Sequence, residues 1–456
     1  TLSSTGGTLS LPGGATLVSG ATFTTSNTTL KLGGTLDIAD TWVITSTNLS
    51  LTADAELSST VPVGLASLQT NGYDFKLGSD TTDLTLANAF ALSSGTLSTQ
   101  GGDLIFADSA DISSGATLDA TVLTGTGGKL EFQQGGTSAG TINASNATFK
   151  IGSAYTVSGT IKTNGGTTWE LGTANLPVNL DLSGGTLELG GNVTLDNILT
   201  NNLTVFKLDT EDATVTRNTG FTLSKVELNN NTFTLGSETT DLTVDRSGAS
   251  GTGSNPGTLA TQTADLTVLG TPTLNNGNTV SSTGGTIAFV DGISVNGGTL
   301  NLQDTTLAVG TSLTKSGGTL SLSGTGLELL SDVSLSLDSA AAFDSFDPKG
   351  FNLELSSTST GNVALGTLAL TEEKIEVNGG TLSLAGGSVG TNGELEVGGS
   401  GTLSLQGDLT VTGTLNLNSG ASLTLAGNTL DISGGQLELA GTHSLDGITT
   451  GANTTL

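Results

Sequence analysis

Carboxylates are the chemical groups this sequence holds in quantity, and their grouping limits what they can do. The densest run is Asp209, Glu211 and Asp212, which puts acids close enough for paired acid and base work on a glycosidic bond. A solvated turn has the same composition. The aromatic platforms of a sugar cleft are missing around it, because Trp42, Trp169, Tyr73 and Tyr155 are scattered. A second set is periodic: Asp83 and Asp241 occupy matching places in a long internal repeat, as do Asp103 and Asp265. Hard cations take oxygen ligands, so Asp83, Asp241, Asp209, Glu211 and Asp212 are the candidates for a calcium site. The simpler reading, which we favour, is that each Asp caps a turn by accepting local backbone amides. The Gly-Gly-x-Gly-x-Asp nonapeptide of calcium-binding β-rolls is absent.

Other chemistries lack their residues. There is one His, His443, and no Cys, so thiolate sites are excluded and any Ser-His-Asp triad would hang on His443. A polar turn position accounts for it better. Ranks of Thr-x-Thr on a flat face would suit ice. The pairs Thr22 and Thr24, Thr45 and Thr47, Thr214 and Thr216, and Thr261 and Thr263 are irregularly separated, which argues against that reading. The expectation is a protein that is not an enzyme and needs no cofactor.

The elements that would carry these residues are short and repeated. A Gly-Gly-Thr-Leu-x-apolar unit recurs from Gly6, Gly33, Gly184, Gly297, Gly317 and Gly379. Glycine supplies turn conformations, and the T-L-x-L that follows alternates at the period of a strand with Leu inward. Leu300 and Leu320 are 20 apart, and Leu382, Leu403 and Leu423 follow one another at 21 and 20. That spacing predicts an all-β solenoid, a parallel β-helix with about three short strands per coil of roughly 20 residues. About 22 such coils, about 4.8 Å apart, would make a rod on the order of 100 Å long.

A longer repeat overlies the first. Residues 75–86 match 233–244 at an offset of 158, and residues 96–104 match 258–266 at an offset of 162. The related blocks therefore run over about 65–106 and 223–268, with four residues inserted in the second. The Gly/Ser-rich residues 247–257 are the predicted place, as a protruding loop. The Ala-rich stretch in 339–350 is the other predicted excursion, a short helix or loop. One continuous solenoid over 1–456, a segment of a longer array, is the expected organisation.

Composition narrows the partners. Lys and Arg number 12 against 41 Asp and Glu, for a formal charge of −29. With no basic run, binding to a nucleic-acid backbone is excluded. No apolar run is long enough for a membrane helix. Hydrophobic residues are 34% of the chain and recur in strand period, which separates it from disordered Gly/Ser/Thr-rich sequence.

The segments from Ile293 to Leu302 (ISVNGGTLNL) and from Ile375 to Leu384 (IEVNGGTLSL) resemble the passenger repeats of autotransporters and similar large bacterial β-solenoid adhesins. The resemblance implies a right-handed β-helix displayed at the bacterial cell surface, extracellular and free of cysteine, whose role is adhesion or spacing. It implies a rigid rod, stalk or filament, with self-association along the axis and a host, neighbouring-cell or glycan ligand. A polysaccharide-binding or polysaccharide-cleaving β-helix with a carboxylate groove is the alternative. No family binding residues carry over, because the matching positions are structural Gly and Leu.

Overall fold

The computed structural model describes the chain apart from residues 80, 122–127, 164–166, 172–179, 183–184, 190–192, 195–197, 201–203, 209–211, 237–238, 246–255, 444–447 and 451–456. Among the described residues there is no helix; strands of two to twelve residues alternate with turns. The chain is a β-solenoid of about 20 coils of roughly 20 residues. It divides into two compact units, Thr1–Arg217 with Phe221–Glu227, and Leu228–Leu456 with Asn218–Gly220.

A representative coil of the first unit has three sides. Leu84–Leu86, Phe90–Leu92 and Thr96–Ser98 form its three sides. The next coil repeats them as Leu104–Phe106, Ala110–Ile112 and Thr117–Asp119, each parallel to and in register with its predecessor. Side chains alternate: Leu84 and Leu86 are buried and Thr85 between them is partly exposed. This is why T-L-x-L reads as a strand with one wet and one dry face. The dry faces meet on the coil axis. Of the 13 Phe in the sequence, twelve are buried there with Leu, Val and Ile. Phe106, Phe132 and Tyr155 stack from coil to coil, with ring centroids 5.1 and 4.5 Å apart.

The second unit is built the same way. Leu300 pairs with Leu320, Leu382 with Leu403, and Leu403 with Leu423, so the 20-residue spacing is the coil step. The recurring Gly-Gly has a packing reason at Gly318. Its φ is +70°, and a Cβ there would stand 2.2 Å from the carbonyl oxygen of Gly298 one coil below. The following Thr319 donates its N–H to that same carbonyl at 2.8 Å. Glycine lets the corner lie flat on the corner beneath, and the next residue then enters the ladder.

The long repeat is a repeat of register. Phe75 pairs with Leu97 as Phe233 pairs with Leu259, and Leu84 with Leu104 as Leu242 with Leu266. Gln100 and Gln262, matched at the offset of 162, both take a φ of 53°. The four extra residues fall between Asp245 and Gly257; residues 246–255 of the expected loop lie outside the described residues, and Gly257 already begins a strand. The excursion expected at 339–350 is corrected. Ala341–Phe343 and Ser345–Asp347 are strands within the coil stack, with Ala341, Phe343 and Phe346 buried. Alanine fits the inward position of a crowded corner as readily as it fits a helix.

Candidate functional site

The periodic aspartates stand at strand starts and bind backbone, but not their own turn. Asp83 Oδ1 accepts the N–H of Asp103 at 2.9 Å, and Asp103 Oδ1 accepts that of Lys129 at 2.9 Å. In the second unit Asp241 accepts from Asp265 at 3.0 Å, and Asp265 from Thr286 at 2.6 Å. Each carboxylate thus holds an amide at, or one residue before, the start of the strand on the following coil. Asp332 does so for Asn352, and Asn352 does so through its amide oxygen for Lys374, both at 2.8 Å. Coil-to-coil clamping replaces the expected local turn cap. Among the described residues, no three His, Asp or Glu side chains converge as a metal set. Of the acidic run, Asp209 and Glu211 lie outside the described residues and Asp212 is exposed. His443 is partly exposed, with Nε2 3.0 Å from the carbonyl oxygen of Ala440.

Asn352 shows that an amide oxygen serves as well as a carboxylate, which separates clamping from charge. Asp241→Asn should leave thermal stability within about 0.5 kcal/mol. Asp241→Ala, which removes an acceptor from a charge-assisted bond, should cost about 1–2 kcal/mol. Equal losses for the two variants in denaturant melts would refute the clamp.

A concavity that brings charged groups together lies on the second unit. It is a shallow groove of about 260 Å³, lined by Thr311, Asp332, Asn352, Glu354, Lys374 and Glu376 among others. The strands beneath it, Val333–Leu337, Leu353–Leu355, Lys374–Val377 and Glu394–Val397, pair in parallel register. Glu354, Glu376 and Glu396 are therefore stacked on successive coils, about 4.8 Å apart along the sheet. Asn378 Nδ2 bridges the first two, donating to Glu354 Oε1 at 3.2 Å and Glu376 Oε1 at 2.7 Å. Lys374 lies 3.9 Å from Glu376 and 3.4 Å from Glu394, and also donates to Glu396. That bond from Lys374, against some burial and helped by Asn418, holds the Glu396 carboxyl below the usual range. The sequence carried a signal for this column, since Glu354, Glu376 and Glu396 follow at the coil step of 22 and 20 residues. It escapes a search for local acidic runs because stacking neighbours are a whole coil apart.

The first unit turns the same geometry into ion ladders. Glu188 pairs in register with Lys162 below and Lys207 above, with N to O distances of 3.3 and 3.0 Å. Glu131 sits 2.8 Å from Lys129 and 3.2 Å from Lys150. Burial, the largest effect on both carboxyls, raises them, but the lysine hydrogen bonds outweigh it and leave both lowered. Asp103 goes the other way, raised first by burial and then by the charge of Asp83.

These directions set the response to acid. A lowered carboxyl stabilises the fold above its unfolded value, about 4.3 for Glu, and that contribution is lost as the pH falls through the lower folded value. Asp103 regains stability on protonation, and so does the whole acidic surface as its repulsion fades. Glu131, Glu188 and Glu396 carry direct ion pairs, which salt screens less than the long-range repulsion. We expect the melting temperature at physiological salt to hold from pH 7 to about 5 and to fall below about 4. A melting temperature that climbs between pH 5 and 3, followed by circular dichroism, would contradict this.

No protein-family model, curated protein or solved structure matches this chain, so its assignment rests on its geometry, a β-solenoid that carries a charged groove.

Proposed function

We propose that the chain is a structural and adhesive element of a bacterial cell surface, an extracellular rod or stalk whose coils serve as spacer. The observation that carries this reading is the parallel pairing that runs through long sheets, thirteen strands in one and nine in another. Backbone groups of one coil are satisfied by the next, as in Thr381 to Thr402 and Leu382 to Leu403, so length can be added without a new core. Clamping aspartates and Lys–Glu ladders also run from coil to coil, which suits a load borne along the stack. The acidic surface would keep neighbouring rods apart at low salt, and pairing between unpaired strand edges would let them associate along the axis. Electron microscopy of the purified chain, with immunolabelling of intact producing cells, tests the proposal. Elongated particles and surface label are expected; compact particles, or label confined to the cell interior, would overturn it.

The groove supports a second reading, a polysaccharide-binding or polysaccharide-cleaving β-helix. Glu354 and Glu376 stand as paired carboxylates beside Lys374 and Asn352, the polar equipment for sugar hydroxyls. Binding or turnover on a polysaccharide panel that Glu376→Gln abolishes would favour it. Inertness of the wild-type chain across the panel would remove it.

A further inference from the structure

The Thr-x-Thr pairs visible in the sequence form no rank. Thr47 and Thr261, one member of each of two pairs, are buried. Rank order appears elsewhere, in threonines whose sequence separations conceal it. In the second unit Thr232, Thr258, Thr279, Thr299 and Thr319 pair one above another on five successive parallel strands. Their separations are 26, 21, 20 and 20 residues. The turns absorb the differences, so the side chains repeat at the strand spacing of about 4.8 Å over roughly 19 Å. Two residues further along the same strands a companion column runs through Thr234, Ala260, Ser281, Asn301 and Ser321. All ten face outward, alternating with buried Phe233, Leu259, Val280 and Leu300.

Three properties of this face select its partner. It carries no charge at any of the ten positions, although the chain bears −29, so electrostatic attraction offers nothing to an ionic ligand. It has no aromatic side chain on which a sugar ring could stack. It offers Thr hydroxyls and methyls at a fixed repeat, held by side chains that are stiff at χ1, on a sheet that is itself fixed from coil to coil. Hydroxyls hydrogen-bond water as donor and acceptor, and methyls restrict the orientations of water beside them. A periodic, uncharged array of both templates ordered water. It fits a partner that is itself a lattice of water.

We propose that the face formed by the Thr232 to Thr319 rank and its companion column binds ice. The inference is independent of where the chain is displayed. The first unit contains a natural comparison: Thr96, Thr117, Thr141, Thr160 and Thr186 also form a five-strand rank. Its companion column, however, is Ser98, Asp119, Asn143, Lys162 and Glu188. Those ionic and ion-paired side chains break the uncharged repeat, so that face should not seat on ice.

The test takes the full chain through slow growth of an ice hemisphere and measures thermal hysteresis in parallel. Wild-type protein should be taken up into the ice and arrest crystal growth. Thr279→Tyr combined with Thr299→Tyr keeps strand-compatible residues but breaks the regular rank, and should reduce uptake by about tenfold or more. Thr141→Tyr, on the charged face of the first unit, should leave uptake unchanged. Circular dichroism melts establish that each variant is folded. Exclusion of the wild-type chain from ice would overturn the proposal, and so would undiminished uptake of the folded double variant. A loss of uptake in Thr141→Tyr equal to that of the double variant would also overturn it, since binding would then not belong to this face.

Discussion

Phe132→Ala should open the coils around it while leaving the second unit closed. Phe132 is fully buried and touches rings on three sides, with centroids 5.1 Å from Phe106, 6.0 Å from Phe149 and 4.5 Å from Tyr155. Truncation removes the transfer energy of the ring and leaves a cavity that the stacked neighbours, pinned by their own ladders, cannot fill. For Phe→Ala in a core this costs about 3–5 kcal/mol. A solenoid spreads such a loss unevenly, because each coil leans only on the coils beside it. Amides of Leu104–Phe106, Thr148–Ile151 and Tyr155–Val157 should therefore exchange with solvent about a hundredfold faster or more. Amides of Lys374–Val377 should keep their wild-type rates. Uniform acceleration along the whole chain would mean that the fold melts as one cooperative block, contrary to this account.

Gly413→Ala should be the second most damaging of the changes considered, and its cause is backbone rather than side chain. The glycine's φ lies outside the left-handed region, so conformation alone would admit alanine. A Cβ there, however, would stand 2.1 Å from the carbonyl oxygen of Gly390 and 2.3 Å from that of Gly393. Neither oxygen can move freely: Gly393 O accepts the N–H of Thr414 at 3.0 Å, and Gly390 O accepts that of Gly393 at 2.9 Å. Relief requires the strands Glu394–Val397 and Thr414–Leu417 to splay, at about 1–3 kcal/mol. Gly64→Ala is the matched comparison. Gly64 lies within the strand Val63–Leu65, where a Cβ would meet nothing within 4 Å. Alanine there should stabilise by about 0.5–1 kcal/mol, since it reduces the freedom of the unfolded chain. Equal melting temperatures for the two variants would show that corner glycines are not packing residues.

Core stacking and corner contact are both relations between one coil and the next, and the surface follows the same rule. The groove at Glu354, Glu376 and Lys374 exists because successive coils bring acids into register. A scaffold of this kind makes sites by vertical repetition. A substitution that shifts a coil by one strand position should therefore damage whichever of the groove and the Thr face that coil helps to build, and spare the other.

What the sequence determined by itself was the period. Alternation in T-L-x-L fixed strand and inward face, and Leu300, Leu320, Leu382, Leu403 and Leu423 marked the coil step, because burial on a repeating axis forces apolar residues to recur at it. Even the long repeat was legible, down to the four-residue insertion ahead of Gly257. The tertiary structure alone decided which polar side chains meet. Asp83 was readable as a backbone acceptor, but the amide it accepts lies 20 residues on, at Asp103. The Ala-rich stretch around Ala341 had a local preference that packing overrode. The threonine ranks were hidden by coil lengths from 20 to 26 residues between Thr232 and Thr319. For the aspartates and the threonines the physical reason is shared: stacked neighbours lie a coil or more apart in sequence, and turns take up insertions without disturbing the ladder; for the alanines it is burial on the coil axis.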